Sequence, residues 1–293
     1  MNIFITGGTG FIGSALCHAL IQQGHQLTVL TRQQKPSQQA VTYCQNLANV
    51  ENFNQFDAVI NLAGEPIFDK AWTAKQKQIL LQSRLDITEQ LVARIQASST
   101  PPHTFISGSA TGYYGDLPFA KNYDELTACG RAFPAQLCQQ WEASALKAQS
   151  EKTRVCLIRT GIVLDKQGGA LKQMLPLYRL GLGGKLGSGK QHWAWISLND
   201  EIRAILFLLN HSQCQGAFNL VAPKSATNAD FNGALAKMLG RPAFFNVPAF
   251  ILKCLLGERS QLLLDNQPLV PKHLTEMGFV FEDSLEKVLE FQG

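Results

Sequence analysis

The chain has 293 residues, 45% of them hydrophobic and 16% charged, with a net charge of +4. That length supports one large α/β domain, or a domain and a half. So mild a charge balance, without a lysine- or arginine-rich run, gives no case for nucleic acid or a membrane surface, and no apolar stretch approaches spanning length.

MNIFITGG opens the chain as a strand rather than a basic leader, so no export signal is expected. A helix follows over 11–23, with Gly24 as its C-cap. HQLTVLT and DAVINLA read as strands, and a long helix spans about 71–97. HTFISGS is the next strand, and RAFPAQLCQQWEASA opens a helix expected to run to about residue 150. RVCLIRTGIVL and then GAFNLVA are further strands. Strands alternating with helices of this length imply crossover units, and hence a doubly wound parallel sheet of the Rossmann type.

The pattern changes after about residue 165. Glycines cluster in RLGLGGKLGSGK, and the closing stretch has short helices broken by Gly240, Gly257 and Gly278 among Pro242, Pro248, Pro268 and Pro271. The expected organisation is a dinucleotide-binding domain over 1–165, with 196–222 returning to the sheet. Residues 166–195 and 223–293 would form a small mixed lobe on the substrate side.

The strand NIFI runs into TGGTGFIG and then a helix. Gly8, Gly10 and Gly13 satisfy G-x-G-x-x-G, and Gly7, Gly10 and Gly13 satisfy the looser T-G-x-x-G-x-x-G. Either spacing makes a turn in which one glycine takes a strained dihedral. Another lets a pyrophosphate approach the backbone, and the last lets helix pack on strand. The pyrophosphate would sit among the free N–H groups of the helix start, at Phe11 and Ile12. A strand before the glycines and a helix after them is the context this reading requires.

The second strand selects the cofactor. Where an NAD binder places an acid on the ribose, this chain places Thr31 and Arg32. A guanidinium pairs with a 2′-phosphate, so NADP(H) is expected, with NAD(H) less favoured.

Taken with NLAGEPI, SRLDIT, SGSATGYYG, LIRTGIVL, GSGKQHWAWISLND and VPKHLTEMGF, the glycine turn resembles the extended short-chain dehydrogenase/reductase superfamily. The resemblance runs nearly end to end, and is nearest to a divergent branch of epimerase-family proteins of unknown substrate. It implies that Leu62, Ala63 and Gly64 line the adenosine side of the cofactor, and that Arg84 replaces a usual asparagine and contacts it. Ser109 would hydrogen-bond the reacting carbonyl or hydroxyl, with Ser107 also at the cofactor. Arg159, Thr160, Gly161 and Ile162 would border the nicotinamide. Asp200 falls at the acid of a WIHVDD-like signature that here reads WISLND.

The departure lies in RAFPAQLCQQWEASA. Typical members carry Tyr-x-x-x-Lys there, with a glutamate four residues on. Glu142 matches the glutamate, so Cys138 replaces the lysine and Pro134 the tyrosine. The tyrosine is the usual general acid or base, worth about 10²–10⁴ in rate. Cys138 reads as a small buried hydrophobe. Tyr113 and Tyr114, on the loop after Ser109, are the alternative proton donors, with pocket wall as their plainer role.

Other features carry less. GKLGSGK fits a phosphate loop, but Gln191 stands where Ser or Thr is needed and a strand follows. The loop reads instead as presenting Lys185, Lys190 and His192 to a substrate or to solvent. Trp193 and Trp195 share one strand face, as core or as a stacking wall. Trp72 and Trp141 read as packing residues. The serines in S-G-S make no G-x-S-x-G elbow. Seven scattered cysteines without a C-x-x-C pair fit reduced thiols in a cytoplasm, and six histidines without ligand spacing predict no metal. The function expected is an NADP(H)-dependent oxidoreductase or epimerase-like enzyme on an unidentified small carbonyl or hydroxyl compound. A catalytically degenerate NADP(H)-binding sensor or scaffold is the alternative, and a homodimer is left open.

Overall fold

The computed structural model describes residues 1–37 and 39–290, so the end of the expected lobe, 291–293, lies outside it. Strands β1 (Asn2–Thr6), β2 (Gln26–Leu30), β3 (Val41–Cys44) and β4 (Ala58–Asn61) alternate with helices α1 (Phe11–Gln22) and α2 (Ala74–Gln96). Then follow β5 (Thr104–Ala110), α3 (Phe133–Leu146), β6 (Arg154–Thr160), β7 (Ile162–Asp165) and α4 (Gly169–Arg179). After β8 (His192–Trp193) and β9 (Trp195–Ser197) come α5 (Leu198–Asn210), β10 (Gly216–Leu220), β11 (Ala226–Thr227) and α6 (Asn228–Leu239). Helices α7 (Ala249–Leu256), α8 (Gln261–Leu264), α9 (Lys272–Glu276) and α10 (Leu285–Leu289) complete the chain.

Seven strands form one sheet in the order β10-β6-β5-β4-β1-β2-β3, with every pairing parallel. The order reverses between β1 and β4, which opens the crevice where such sheets bind ligands. The register brings Thr6 beside both Leu30 and Asn61, Asn61 beside Ser107, and Ala110 beside Thr160. The chemistry-bearing strand ends therefore meet along one edge. The inner strands are buried on both faces, as a helix-covered parallel sheet requires. One apolar core lies between the sheet, α1 and α5, and a second between the sheet and the α2–α3 side.

Three elements differ from the sequence reading. Val41–Cys44 forms an edge strand that the reading passes over. It is four residues long and follows a polar stretch. RVCLIRTGIVL reads as one strand but divides at Gly161. A Cβ there would lie 2.4 Å from the Ala194 carbonyl oxygen, so only glycine lets the chain pass. Beyond it, β7 leaves the main sheet and pairs with β9. Helix α2 starts later than expected because Thr73 caps it, its hydroxyl accepting from the Gln76 N–H at 3.1 Å.

The small C-terminal lobe combines helices with short strands. Its core holds Leu171, Tyr178, Trp193, Trp195, Phe231 and Leu289, so both tryptophans pack in the interior. A capping box at Thr227 and Asp230 starts α6. Buried Asp200 ties the chain's end to α5: its carboxylate accepts from the backbone N–H groups of Glu282 and Asp283 at 3.0–3.2 Å and from Arg203 at 2.6 Å. Asp200→Asn replaces one acceptor with an amide facing donors. It should cost about 1–3 kcal/mol in urea denaturation and expose the segment after residue 280 to proteases; unchanged stability would deny the anchor.

Candidate active site

The glycine turn is built as its spacing demands. Gly7 takes φ +72°, and a Cβ on it would lie 2.6 Å from the backbone of Leu62. A Cβ on Gly13 would lie 2.1 Å from the Gly7 carbonyl oxygen, so helix α1 packs directly on the turn. A Cβ on Gly10 would meet only that same oxygen, at 3.2 Å, and otherwise point into open space. Gly10 is the N-cap of α1 and supplies no side-chain cap, so the first N–H groups of the helix stay available to an anion. The Phe11 ring lies over Gly168 and Gly169 and joins the turn to the start of α4.

At the end of β2, Thr31 is buried and Arg32 is exposed, without a hydrogen-bond or ion-pair partner among the described residues. Leu62, Ala63 and Gly64 continue from β4 across the crevice. Arg84 reaches over Gly64, where a Cβ would touch its guanidinium at 2.9 Å. Its Nη1 and Nη2 donate to the Leu80 and Glu65 carbonyls, and the guanidinium faces the Trp141 ring at 5.2 Å. The Nε–H is buried without a partner. Burial lowers the pKa of Arg84.

The reacting end centres on a buried ion pair. Arg159 donates from Nε and Nη2 to the two carboxylate oxygens of Glu142, at 2.8 and 2.9 Å. Ser109 donates its hydroxyl to the same carboxylate at 2.6 Å. Arg159 also donates to the Tyr114 hydroxyl at 2.8 Å and to the Glu125 carbonyl at 3.1 Å. Tyr114 in turn donates to Asn219 at 2.6 Å. Its ring is 2% exposed, and burial raises its pKa.

Both Tyr114 and Arg159 are thus held by protein partners. The Tyr114 hydroxyl donates to Asn219, and the Arg159 guanidinium is occupied by Glu142, Tyr114 and the Glu125 carbonyl. Tyr113 differs: it is half-buried, and its ring stacks on Arg159 at 3.6 Å. Burial raises its pKa as well. Ser107 is fully buried on β5. Thr160, Gly161 and Ile162 are half-buried at the end of β6 and the start of β7.

On α3, Pro134 and Cys138 are buried beneath the Ser109 loop. Burial pushes the Cys138 thiol up to about 12, so it is protonated at neutral pH and a poor nucleophile. In the GKLGSGK loop, the Gln191 side chain donates to the Leu186 and Leu263 carbonyls, and β8 follows rather than a helix. His192 is held by Asn266 at 2.9 Å. Among the described residues, no cluster of His, Cys, Asp and Glu suits a metal ion.

Sequence reasoning passed over Glu201. This carboxyl on α5 is fully buried; one oxygen accepts from Thr160 at 2.8 Å and the other has no partner. No local signal marks it, because it follows Asp200 in a polar first turn. Burial pushes its pKa up to about 8. The fold therefore favours the protonated acid.

A parallel sheet carrying a glycine turn after β1, with a serine at the end of β5 two strands away, has the architecture of the extended short-chain dehydrogenase/reductase type. The chain belongs to the NAD dependent epimerase/dehydratase family, whose pattern matches residues 3–220. Residues 247–289 match a domain of unknown function, DUF1731. The chain is 37% identical over 282 residues to epimerase family protein ML0860 of Mycobacterium leprae, covering 95% of this chain and 91% of that one. It is 37% identical over 285 residues to mouse (Mus musculus) epimerase family protein SDR39U1, covering 96% and 95%. The crystal structure of human SDR39U1 isoform 2 with NADPH superposes with a TM-score of 0.92 at 32% identity, covering 99% of this chain and 98% of that one.

The raised pKa of Glu201 has a stability consequence. Its neutral form contributes fully below the ordinary carboxyl range near 4.5, and the contribution is lost as pH rises through about 8. Glu201→Gln cannot ionise. The native protein should lose melting temperature relative to this variant between pH 5 and about 8. Parallel melting curves across that window would show the carboxyl to be paired and charged.

Proposed function

We propose that the chain is an NADP(H)-dependent oxidoreductase, epimerase-like in type, acting on a small compound through a carbonyl or hydroxyl group. The observation that carries this reading is the open backbone at Gly10, under the uncapped start of α1, on the same sheet edge as the Ser109 hydroxyl. Residues 1–165 and 196–222 would hold the cofactor, and 166–195 with 223–290 the substrate. Gly7, Gly10, Gly13 and the N–H groups of Phe11 and Ile12 would take the diphosphate. Arg32 would take the 2′-phosphate, beside Thr31. Leu62, Ala63 and Gly64 would flank the adenosine, and Ser107, Thr160, Gly161 and Ile162 the nicotinamide. The bound cofactor would supply or accept the hydride. The relative crystallised with NADPH supports the choice of cofactor.

The chain's own residues supply the remaining chemistry. The Ser109 proton is committed to Glu142, which leaves the Oγ lone pairs to accept from a substrate hydroxyl. Arg159 balances the carboxylate, so Ser109 is oriented without an unpaired charge. Tyr113, half-buried, or water moves the proton, while Tyr114 and Arg159 position the others. Arg84 brings a cation beside Cys138, where typical members carry lysine, and its unpartnered Nε–H is a donor for the cofactor. A non-catalytic NADP(H) sensor is the second reading. It is favoured by the buried, protonated thiol of Cys138, by Pro134, and by the sealed Tyr114 hydroxyl.

NADPH should bind about tenfold or more tightly than NADH, and Arg32→Ala should remove most of the difference in calorimetric titration. Equal affinities for the native protein would sink the assignment. Gly10→Val should abolish cofactor binding while the protein stays folded.

Turnover is sought by screening carbonyl compounds for NADPH oxidation. With a substrate in hand, Tyr113→Phe should lower the rate by about 10²–10⁴ with cofactor affinity unchanged if its hydroxyl is the acid. An unaffected rate assigns the proton to water.

A further inference from the structure

The small lobe carries an exposed apolar face formed by segments distant in sequence. At the end of α4, Leu177, Leu180 and Leu182 are exposed. Backbone hydrogen bonds join this segment to the loop before α7: Phe245 N–H donates to Gly183, Val247 to Lys185, and Gly187 to Val247. That loop presents Phe244 and Phe245, which are 82% and 58% exposed. Helix α7 adds Phe250 and Leu255, at 67% and 73%, and buries only Leu252. Lone exposed apolar residues need no explanation, but exposed rings and leucines gathered on adjoining segments mark an interaction surface.

The charge on these segments is one-sided. Residues 171–190 contain four lysines or arginines, residues 231–257 contain three, and neither segment contains an aspartate or glutamate. All 22 acidic residues of the chain lie elsewhere, so the mild overall balance conceals a local excess. Arg179 stands between Leu177 and Leu180, Arg241 precedes the Pro242 that packs on Gly181, and Lys253 lies between Phe250 and Leu255. All three are exposed.

We propose that this face is a docking surface for an anionic lipid bilayer, on which the chain rests without crossing it. No described helix is long and apolar enough to cross a membrane. Phenylalanine and leucine beside lysine and arginine is the composition that seats at a lipid interface: the rings enter the acyl boundary and the cations meet the headgroups. A second copy fits poorly, because a two-fold contact would press this basic face against itself. A protein partner would need a pocket for each protruding ring, whereas a bilayer needs none.

Sedimentation with phosphatidylcholine vesicles, with and without phosphatidylglycerol, tests the proposal at low and high salt. The native protein should sediment with the anionic vesicles and lose about tenfold or more in binding to the neutral ones. Phe244→Ser with Phe250→Ser, and separately Arg179→Glu with Arg241→Glu, should each weaken anionic binding by about tenfold or more. Circular dichroism checks that both variants stay folded. No sedimentation, or sedimentation unchanged by either double variant, overturns the proposal. A dimer in solution that Phe244→Ser with Phe250→Ser dissolves, without vesicle binding, would assign the face to self-association. Binding to an acidic polypeptide alone would assign it to a protein partner.

Discussion

The ion pair between Arg159 and Glu142 is the contact on which the reacting end of the molecule depends. Taking two such charges out of water costs several kcal/mol each, and the cost is offset only where geometry and further hydrogen bonds are good. Here they are. Two guanidinium nitrogens meet the two carboxylate oxygens, and a third donor, Ser109, completes Glu142. Tyr114 and the Glu125 carbonyl take the two Nη1 protons, and Asn219 completes Tyr114. The pair thereby locks together β5, α3, β6, β10 and the loop between β5 and α3. This explains which part of the familiar helix signature is retained. Glu142 cannot be lost without leaving a buried cation, whereas the positions of Pro134 and Cys138 carry no such charge.

A second polar network runs from the glycine turn to the same helix. The Thr6 hydroxyl donates to Asn61, Asn61 donates to Thr88, and the Trp141 indole also donates to Thr88. Thr88 returns its proton to the Arg84 carbonyl. The three side-chain links are buried and the last step is part-buried, and all are paired, which is the condition under which such networks rigidify a core rather than weaken it. Strand β1, the crevice, α2 and α3 are thus held in one geometry. The arginine that brings a cation toward Cys138 lies on the helix this network fixes.

Features that depend on contiguous residues were legible in the sequence. The glycine turn declares itself because its steric reasons lie within one strand–turn–helix unit. The alternation of strands and helices did the same for the sheet. What escaped depends on contacts between distant segments. Gly161 divides a stretch that reads as one strand only because Ala194, far along the chain, crosses it. Tyr113 and Tyr114 are identical neighbours in sequence, yet one hydroxyl is sealed against Asn219 and the other ring is half-buried. Glu201 sits in a polar first turn and is nonetheless buried against Thr160. Charge counted along the chain hides the basic face of the lobe, because folding brings its two acid-free segments together.

The loss of the tyrosine and lysine leaves the proposed cofactor cradle intact, since the turn at Gly7, Gly10 and Gly13 is built of backbone and needs no side chain from α3. Cofactor binding and proton transfer are therefore separable in this fold. On the proposed function, a positive charge brought from α2 by Arg84 would supply the electrostatic half of what lysine supplies. It cannot preserve the other half, the depressed pKa of a neighbouring tyrosine, because no tyrosine stands at 134. Tyr113 is pushed upward by burial, and its stacking on Arg159 only partly opposes that. Tyr113 therefore stands as the phenol at neutral pH, a weaker acid than usual, and its phenolate, though a strong base, is scarce. The phenol can give a proton to a developing alkoxide, whereas Ser109, its proton committed to Glu142, is set to accept from a hydroxyl, so the two groups do not together favour one direction of the reaction.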